Sequence, residues 1–295
     1  GLCGSYMHAY HVHDALRVPP LVLGHDACGF FKNCPRMGER IIANPLITCG
    51  TCHHCLSGRS NLCAQRELIG MRLAGAFADQ VLLPAGNALT MPVDMDPVQA
   101  SLTEPTAVAV HSVALTERVL YRPVSEARAL VLGAGAIGAL IALVLQSKGC
   151  REVYLGDTNQ LRLKTAEKHG FGHVYNPLEN EPEAGSFDVV FDAVGSGGTR
   201  AASSRLVRPG GVISHAGLQD QSDGLDTRTL TLQEVTFIGN YCYTVADLTA
   251  SVELLHGQKL GPLDWVEQRP LADGAGAFED IHLGKSASPK IVLIP

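Results

Sequence analysis

A glycine-rich turn between a buried strand and a long apolar helix constrains the fold of this chain more than any other feature. Residues 133–138 read Gly-Ala-Gly-Ala-Ile-Gly, follow the apolar run Ala129–Leu132, and open a helix that Gly149 closes. In such a G-x-G-x-x-G pattern the first glycine permits a tight turn, the second lets the backbone approach a pyrophosphate, and the third lets helix pack on strand. The pattern predicts a dinucleotide site at the helix N-terminus. The alternative is an ordinary turn at the start of a helix.

An acidic residue stands where this dinucleotide-binding pattern requires one. Asp157 follows the predicted strand Val153–Gly156, nineteen residues after Gly138. A carboxylate at this point accepts hydrogen bonds from the adenosine ribose hydroxyls and repels a 2′-phosphate, which favours NAD over NADP. Arg162, one turn into the next helix, works against this preference. The residues predicted to bind NAD are Gly133, Gly135, Ala136, Ile137, Gly138, Asp157, Arg162 and Val194.

Strands and helices alternate along the chain from Ala127 onward. Further apolar runs predict strands over Val153–Gly156, His173–Tyr175, Asp188–Ala193, Val212–His215 and Thr236–Gly239. Helices are predicted over Leu161–His169 and Thr199–Val207. Alternation of this kind is typical of a parallel, doubly wound sheet, so we expect an α/β fold with a domain of the Rossmann type.

The first hundred residues have a different character, because they are rich in glycine, proline, cysteine and histidine and contain only short runs typical of strands. Examples are Arg40–Ala43 and Phe77–Leu83, which turn residues separate. This pattern predicts an irregular, strand-rich domain. Glu104–Glu117 is predicted to be a helix that leads into the next region, and the chain ends in a predicted strand, Lys290–Ile294.

Four of the nine cysteines lie within fifteen residues, in the pattern Cys49-x2-Cys52-x2-Cys55-x7-Cys63. A secreted disulfide scaffold is much shorter and spreads its cysteines along the chain, so we expect a metal site and a reducing compartment. Four thiolates can form a tetrahedron at about 2.3 Å from Zn²⁺ and leave no position for water or substrate, which predicts a structural zinc. An iron–sulfur cluster, which also takes four cysteines, is the alternative.

Composition and charge exclude several classes of protein. Hydrophobic residues make up 46% of the 295 residues and charged residues 18%, which is ordinary for a globular protein and excludes disorder. The net charge is −6 and no block of Lys and Arg interrupts it, so we expect no nucleic-acid partner. The longest apolar stretch, Ala134–Leu145, is far shorter than the about 20 residues of a membrane-spanning helix, and we recognise no signal peptide. We therefore expect a cytoplasmic protein without a membrane partner.

Several motifs occur in an order that is specific to one family. They are Gly1–His8 (GLCGSYMH), Gly24–Asp26 (GHD), Asn44–Cys63 with its four cysteines, Gly75–Ala78 (GAFA), Glu104–His111 (EPTAVAVH), the glycine turn, and Arg208–Gly211 (RPGG). With these motifs the chain resembles the zinc-dependent medium-chain dehydrogenases nearly end to end. Glu104-Pro105 is similar to the branch that contains sorbitol, butanediol, threonine and galactitol-phosphate dehydrogenases.

The resemblance implies a catalytic zinc in addition to the structural one. Cys3, His25 and Glu104 match the positions that hold this zinc in the family. A fourth position stays open for water or substrate, as a catalytic zinc requires. Asp26, which follows His25, is included among the candidate ligands.

The resemblance also implies a domain organisation and an activity. Residues 1–110 and 244–295 match a GroES-like catalytic domain of irregular β structure, and residues 111–243 match the Rossmann coenzyme domain. Ser5 matches the hydroxyl that relays the substrate proton, and His8 matches the histidine further along that relay. The implied reaction transfers hydride from a polyol or secondary alcohol to NAD and gives a ketone or aldehyde. The implied assembly is a homodimer or homotetramer.

The chain departs from the family pattern in three places. Tyr6 stands where relatives carry an aspartate that orients the zinc-bound histidine, and Asp26 stands where they carry a glutamate. Relatives also carry further residues before the Gly1 motif, so we expect that Gly1 is not the natural start. One alternative is a degenerate homologue that binds NAD or zinc without turnover. Another is a threonine-type amino-alcohol dehydrogenase, for which Arg72 is a weak candidate to bind a carboxylate.

Overall fold

The computed structural model describes residues 1–11, 17–32, 35–220 and 223–295. Within these ranges the chain forms two units. Unit 1 consists of Gly1–Val108, Cys242–Leu283 and Lys290–Pro295, and unit 2 consists of Ala109–Tyr241 and Gly284–Pro289. Unit 1 therefore combines the two ends of the sequence, whereas unit 2 is built mainly from its middle.

The strands of the described residues are, in chain order, β1 (Cys28–Phe30), β2 (Arg40–Ala43), β3 (Leu46–Ile47), β4 (Glu67–Leu68), β5 (Ala88–Thr90), β6 (Arg128–Leu132), β7 (Glu152–Gly156), β8 (His173–Tyr175), β9 (Phe187–Asp192), β10 (Val207–His215), β11 (Thr236–Gly239), β12 (Val266–Pro270) and β13 (Lys290–Ile294). The helices are α1 (Tyr6–Tyr10), α2 (His53–Leu56), α3 (Pro97–Ser101), α4 (Thr103–Glu117), α5 (Ala136–Ser147), α6 (Gln160–Lys168), α7 (Gly197–Leu206), α8 (Thr227–Leu232), α9 (Val245–His256) and α10 (Gly274–His282). None of the helices in these described ranges combines the length and apolarity that crossing a membrane requires.

Unit 1 is built from small sheets joined by irregular chain, as the sequence predicts. β1, β2 and β5 form an antiparallel sheet, β3 and β4 form an antiparallel pair, and β12 and β13 form a parallel pair. The strand predicted over Phe77–Leu83 is wrong. The main-chain N–H groups of Gly75–Phe77 bond carbonyl groups of Val22–Gly24, but the chain then bends away, and Leu82 is 93% exposed. An apolar run without a face to bury does not form a strand.

Unit 2 contains a six-stranded parallel sheet with the order β8-β7-β6-β9-β10-β11. From β6 the chain adds β7 and β8 on one side and then β9, β10 and β11 on the other, which is the doubly wound Rossmann order. The prediction of a Rossmann sheet is confirmed. All six residues of β9 are buried, and β6 is buried over its last four residues, as is typical of the central strands of a parallel sheet.

A core cluster in unit 1 holds the beginning of the chain against its end. Leu2 and Tyr6 pack with Ala277 of α10 and Ile291 of β13. The main-chain N–H of Leu2 also donates to the carbonyl of Ile291 at 2.8 Å. Segments from opposite ends of the sequence therefore become neighbours around the candidate site.

Candidate functional site

Three buried side chains of unit 1 converge on one point. The ligand atoms of His25, Asp26 and Glu104 all lie within 4.8 Å of one another, and the residues are 3–7% exposed. His25 and Asp26 follow Gly24, whose φ of +108° and whose close approach to the main-chain nitrogen of Phe77 leave no room for a side chain. Glu104 lies in the first turn of α4. The tight loop at Gly24 and the first turn of α4 thus place the side chains of His25, Asp26 and Glu104 in the interior of unit 1.

The ionisation of this cluster is far from that of exposed groups. Burial and the neighbouring Asp26 carboxylate raise the pKa of Glu104 well above its usual range. Burial lowers the pKa of His25, which favours the neutral imidazole. Burial opposes ionisation of Asp26, yet the ammonium group of Lys290 lowers the pKa of this carboxyl below its ordinary value. Asp26 Oδ2 accepts a hydrogen bond from Lys290 Nζ, whereas the buried Asp26 Oδ1 has no hydrogen-bond partner.

This donor set fits a divalent metal ion such as zinc. A neutral imidazole nitrogen and a carboxylate oxygen are ligands that zinc takes. His25 Nε2 lies 3.5 Å from Asp26 Oδ1, so both atoms point into the cluster. An orphaned carboxylate oxygen in the interior is costly unless a cation or a hydrogen-bond donor approaches it. The residues present therefore accommodate the metal that the resemblance implies.

Cys3, Ser5 and His8 lie along the N-terminal segment. Among the described residues, Cys3 is not a member of the group whose ligand atoms lie within 4.8 Å of one another. Ser5 Oγ donates to Cys3 Sγ at 3.3 Å and accepts from Arg17 Nη2 at 3.0 Å. His8 is half-buried on α1. The structure thus connects Ser5 with Cys3 through a hydrogen bond, whereas the relay from Ser5 to His8 stays a prediction.

The four clustered cysteines bring their sulfur atoms together. The Sγ–Sγ distances are 3.9 Å for Cys49–Cys55, 3.5 Å for Cys52–Cys55 and 3.6 Å for Cys63–Cys49. A tetrahedron with zinc–sulfur distances of 2.3 Å has edges of about 3.8 Å, so the cluster fits a structural zinc site. An iron–sulfur cluster distributes its cysteines over more than one iron and needs a wider spacing of the sulfurs. The geometry therefore favours zinc over that alternative.

Main-chain N–H groups prepare one of these cysteines to bind a metal. Hydrogen bonds from the backbone of Thr51 and Cys52 lower the pKa of the Cys49 thiol to about 6. The N–H of Cys52 lies 3.3 Å from Cys49 Sγ. A thiol with this pKa is largely a thiolate at neutral pH, which is the form that binds zinc. The eight cysteines in the described ranges are all free of disulfides.

Each of the three glycines in the glycine turn of unit 2 has a different structural role. Gly133 has φ +100°, and a Cβ there would lie 2.6 Å from Val194 Cγ2. A Cβ on Gly138 would lie 1.7 Å from the carbonyl oxygen of Gly133, so only glycine lets this helix approach its strand. Gly135 precedes α5, and its Cβ position is open apart from Arg162 Nη1 at 3.8 Å. The turn thus leaves space at the position where a pyrophosphate has to approach the backbone.

Asp157 is held in place at the carboxyl end of β7. Its Oδ2 accepts from the main-chain N–H of Ala134 at 2.6 Å, and its Oδ1 accepts from that of Asn159 at 2.7 Å. Arg162 lies on α6, and its buried Nε has no hydrogen-bond partner. The structure therefore brings Gly133, Gly135, Gly138, Asp157, Arg162 and Val194 to one edge of the parallel sheet, together with Ala136 and Ile137 at the start of α5.

The amino-acid sequence matches two family models. Residues 1–93 match the alcohol dehydrogenase GroES-like domain, and residues 136–257 match the zinc-binding dehydrogenase domain. The chain belongs to the zinc-dependent medium-chain dehydrogenases. It is therefore an oxidoreductase with a GroES-like domain and a Rossmann domain.

Relatives of this dehydrogenase have several names. An L-threonine 3-dehydrogenase of Thermococcus kodakarensis is 28% identical over 100% of this chain and 88% of that protein. A 2-dehydro-3-deoxy-L-galactonate 5-dehydrogenase of Pseudoalteromonas atlantica is 27% identical over 95% of this chain and 85% of that protein. The crystal structure of galactitol-1-phosphate dehydrogenase from Escherichia coli is similar with a TM-score of 0.85 and 25% identity, covering 100% of this chain and 90% of that one.

Sequence reasoning missed three residues around the buried group of His25, Asp26 and Glu104. They are Arg17, Tyr243 and Lys290. Burial and the neighbouring Glu104 raise the pKa of Tyr243 well above its ordinary value, which places the tyrosine beside that carboxyl. Lys290 had no signal of its own, because its burial and its charged partner, Asp26, are evident only in the folded chain. Arg17 and Tyr243 had no local signal, because only the folded chain brings them to the cluster.

Proposed function

We propose that this dehydrogenase oxidises a hydroxyl group of a polyol or secondary alcohol to a ketone or aldehyde, with NAD as the hydride acceptor. The observation that carries the proposal is the buried group of His25, Asp26 and Glu104. With the thiol of Cys3, His25 and Glu104 complete the three-ligand set of a catalytic zinc and leave one position open. Asp26 lies in the same group, and its charge is balanced by Lys290.

The residues around the cluster have separate tasks in this reaction. When bound, the zinc supplies Lewis acidity that lowers the pKa of the alcohol. Ser5 accepts the proton that the alcohol loses and in the same step gives up its own hydroxyl proton, which passes on toward His8. A hydroxyl has two lone pairs and one proton. Ser5 Oγ accepts one hydrogen bond from Arg17 and donates to Cys3, so one lone pair remains for the substrate proton. To release its own proton toward His8, the hydroxyl has to turn away from Cys3.

The coenzyme in this proposal is NAD. Residues 111–243 form the coenzyme domain, and residues 1–110 with 244–295 form the catalytic domain. The main segment of unit 2, Ala109–Tyr241, supports this division, although unit 2 also includes Gly284–Pro289. Asp157 supports NAD over NADP, because its carboxylate is fixed by two main-chain N–H groups and repels a 2′-phosphate.

An alcohol that carries an anionic group is the second candidate class of substrate. Arg17 is 6% exposed, and its guanidinium lies 3.0 Å from Ser5 Oγ. A guanidinium is suited to a carboxylate or a phosphate. This favours a substrate like threonine or a sugar-alcohol phosphate, which two of the relatives are named for. Arg72 is less suitable, because its side chain is 57% exposed and pairs with Glu67 at 3.7 Å.

The proposal includes a homodimer or homotetramer in the cytoplasm. β11 is an edge strand of the sheet in unit 2, and Phe237 on it is 40% exposed. An exposed edge of this kind pairs readily with the same edge of a second copy. The free cysteines of the described residues support a reducing compartment.

The test combines metal analysis with a substrate screen. The protein is purified with zinc, its zinc is counted, and NADH formation is followed with polyols, polyol phosphates and L-threonine. Two zinc ions per chain and NADH formation with at least one alcohol support the proposal. Two zinc ions without turnover of any alcohol identify a degenerate homologue, and faster turnover with NADP overturns the choice of coenzyme. A single zinc ion per chain contradicts the catalytic metal site.

A further inference from the structure

Tyr6 has a fixed position against the imidazole ring of His25. The tyrosine is entirely buried, and its hydroxyl oxygen lies 2.7 Å from His25 Nδ1. Phe77 packs edge-on against the tyrosine ring with a centroid distance of 5.5 Å, and Phe278 packs at 6.3 Å. The guanidinium of Arg17 lies 5.4 Å from the ring centroid. Because these neighbours enclose the ring, its oxygen cannot leave His25 without repacking of the core.

The two ring nitrogens of His25 face different partners. Nδ1 faces Tyr6, whereas Nε2 faces Asp26 Oδ1 at 3.5 Å, inside the group that includes Glu104. A neutral imidazole carries a proton on one nitrogen only. A metal on Nε2 therefore requires the proton on Nδ1, and the tyrosine oxygen then has to accept a hydrogen bond from it.

The phenol of Tyr6 is suited to this acceptor role. A tyrosine phenol ordinarily has a pKa of about 10, so it is neutral at neutral pH. Zinc-bound histidines usually donate their second N–H to a carboxylate, a carbonyl or water. A phenol oxygen makes the same hydrogen bond without adding a negative charge.

We propose that Tyr6 is a positioning residue of the catalytic metal site, whose oxygen accepts the Nδ1–H of His25 and holds Nε2 toward the ion. The inference rests on the proposed function, because it concerns the same site. Tyr6 stands where the family pattern has an aspartate, so the hydrogen bond is retained and the charge is not. Asp26 and Glu104 already place two carboxyl groups in the cluster, and a neutral partner for His25 avoids a third.

The direct test is Tyr6→Phe, which keeps the ring and its packing and removes the oxygen. Loss of such a partner costs about 10–100-fold in metal affinity. We expect this loss at one of two zinc sites, measured by competition with a chromophoric chelator. The matched control is Tyr10→Phe, on the same helix α1 but 44% exposed. The zinc held by the four cysteines serves as an internal measure of correct folding.

Substitution by cobalt separates positioning of the histidine from general stability. Co²⁺ in place of zinc has a visible absorption that depends on ligand geometry. Tyr6→Phe is expected to change the absorption of the site that contains His25, and Tyr10→Phe is expected to leave it unchanged. His25→Ala is expected to remove the absorption of Co²⁺ bound at the site that contains His25. The difference from the wild type therefore identifies which part of the spectrum belongs to that site.

Each outcome decides the inference. Weaker zinc binding at one site with a changed cobalt spectrum supports it. Two zinc ions in the wild type with equal affinity and spectrum in Tyr6→Phe overturn the role of Tyr6 and leave the proposed function standing. A wild type that holds only the zinc of the four cysteines overturns both. Loss of that zinc as well in Tyr6→Phe assigns the tyrosine a purely structural role, which also overturns the inference.

Discussion

Lys290 and Asp26, which are 264 residues apart in the sequence, form a buried ion pair beside the candidate metal ligands His25 and Glu104 of unit 1. The Lys290 side chain is 1% exposed and the Asp26 side chain is fully buried. Lys290 opens β13, so the last strand of the chain is tied to the loop that carries His25. The ammonium balances a carboxylate that the interior otherwise disfavours, and it leaves the second oxygen of Asp26 facing the cluster.

Removal of the lysine leaves this carboxylate without its counter-charge. We expect Lys290→Met to lower the free energy of unfolding by about 3–5 kcal/mol, because an uncompensated buried charge is strongly destabilising. The double variant Asp26→Asn with Lys290→Met is expected to recover much of that loss, since both charges are then absent. Denaturant unfolding measures both variants. Equal stability of the single and the double variant would argue against the pair.

Glu104 is expected to contribute a ligand to the metal. Loss of a partner that only supports a ligand costs about 10–100-fold, so Glu104→Gln should lower zinc affinity at this site and kcat/KM by more than roughly 100-fold. Glu117→Gln is the control, because Glu117 lies at the other end of α4 and pairs with Lys148 at 3.0 Å. Zinc analysis and steady-state kinetics give the two readouts. Wild-type zinc binding in Glu104→Gln contradicts the ligand role.

The four-cysteine loop is expected to lose its zinc when one thiolate is removed. Cys63 is fully buried among the four, and a serine hydroxyl is a poor substitute for a thiolate ligand. Cys63→Ser should reduce the zinc content by one ion per chain and expose the loop to proteolysis, because metal binding and folding are coupled. Cys28→Ser is the control, since Cys28 lies outside the loop and donates to the carbonyl of Pro97, which serine can also do. Unchanged zinc content in Cys63→Ser speaks against the site.

Asp157 is expected to determine the choice of coenzyme. In Asp157→Asn the negative charge that repels a 2′-phosphate is gone, and a hydrogen bond to a charged group is worth about 1.5–3 kcal/mol. The ratio of kcat/KM for NAD to that for NADP should fall by at least about tenfold. Glu152→Gln is the control, because Glu152 is an exposed acid at the opposite end of β7. An unaltered ratio shows that the preference has another origin.

Gly138 is expected to tolerate no side chain. A Cβ at this position lies 1.7 Å from the carbonyl oxygen of Gly133, and neither helix nor turn can move without breaking the strand–helix contact. Gly138→Ala should destabilise unit 2 by about 3 kcal/mol, the upper end of the usual cost of overpacking, and weaken coenzyme binding. In Gly198→Ala, on α7, the nearest atom is Ser196 Oγ at 3.8 Å, so this variant should be unchanged or up to about 1 kcal/mol more stable. Thermal unfolding and coenzyme titration distinguish the two.

Much of the fold follows from local patterns in the sequence. Arg40–Ala43, His173–Tyr175, Thr236–Gly239 and Lys290–Ile294 are predicted with the bounds that the structure has. Buried strands of a parallel sheet can be recognised in the sequence as short apolar runs. The glycine turn then identifies the run that forms the first strand of the Rossmann domain. Phe77–Leu83 shows the limit of this reasoning, because its apolar residues have no face that the fold buries.

The candidate site is harder to predict from the sequence than the fold is. His25 and Glu104 could be named only through the resemblance, since no spacing rule connects them. In the sequence, Tyr6 in place of an aspartate suggested that the catalytic site is degenerate. In the structure, however, its hydroxyl lies at His25 Nδ1, the nitrogen that a carboxylate would contact. Arg17 was not recognised, because nothing in its neighbourhood along the chain indicates that it will bond Ser5.

The four-cysteine loop and the glycine turn could both be predicted from the amino-acid sequence alone. The cysteines lie within residues 49–63 and the glycines within residues 133–138, so their spacing along the chain already specifies the local geometry. The surroundings of His25 and Asp26 depend instead on tertiary contacts. Tyr6 meets His25, and Lys290 meets Asp26, because the core of Leu2, Ala277 and Ile291 packs the first helix against the last strand. Contacts between residues so distant in sequence depend on packing of the whole unit, which no local pattern encodes.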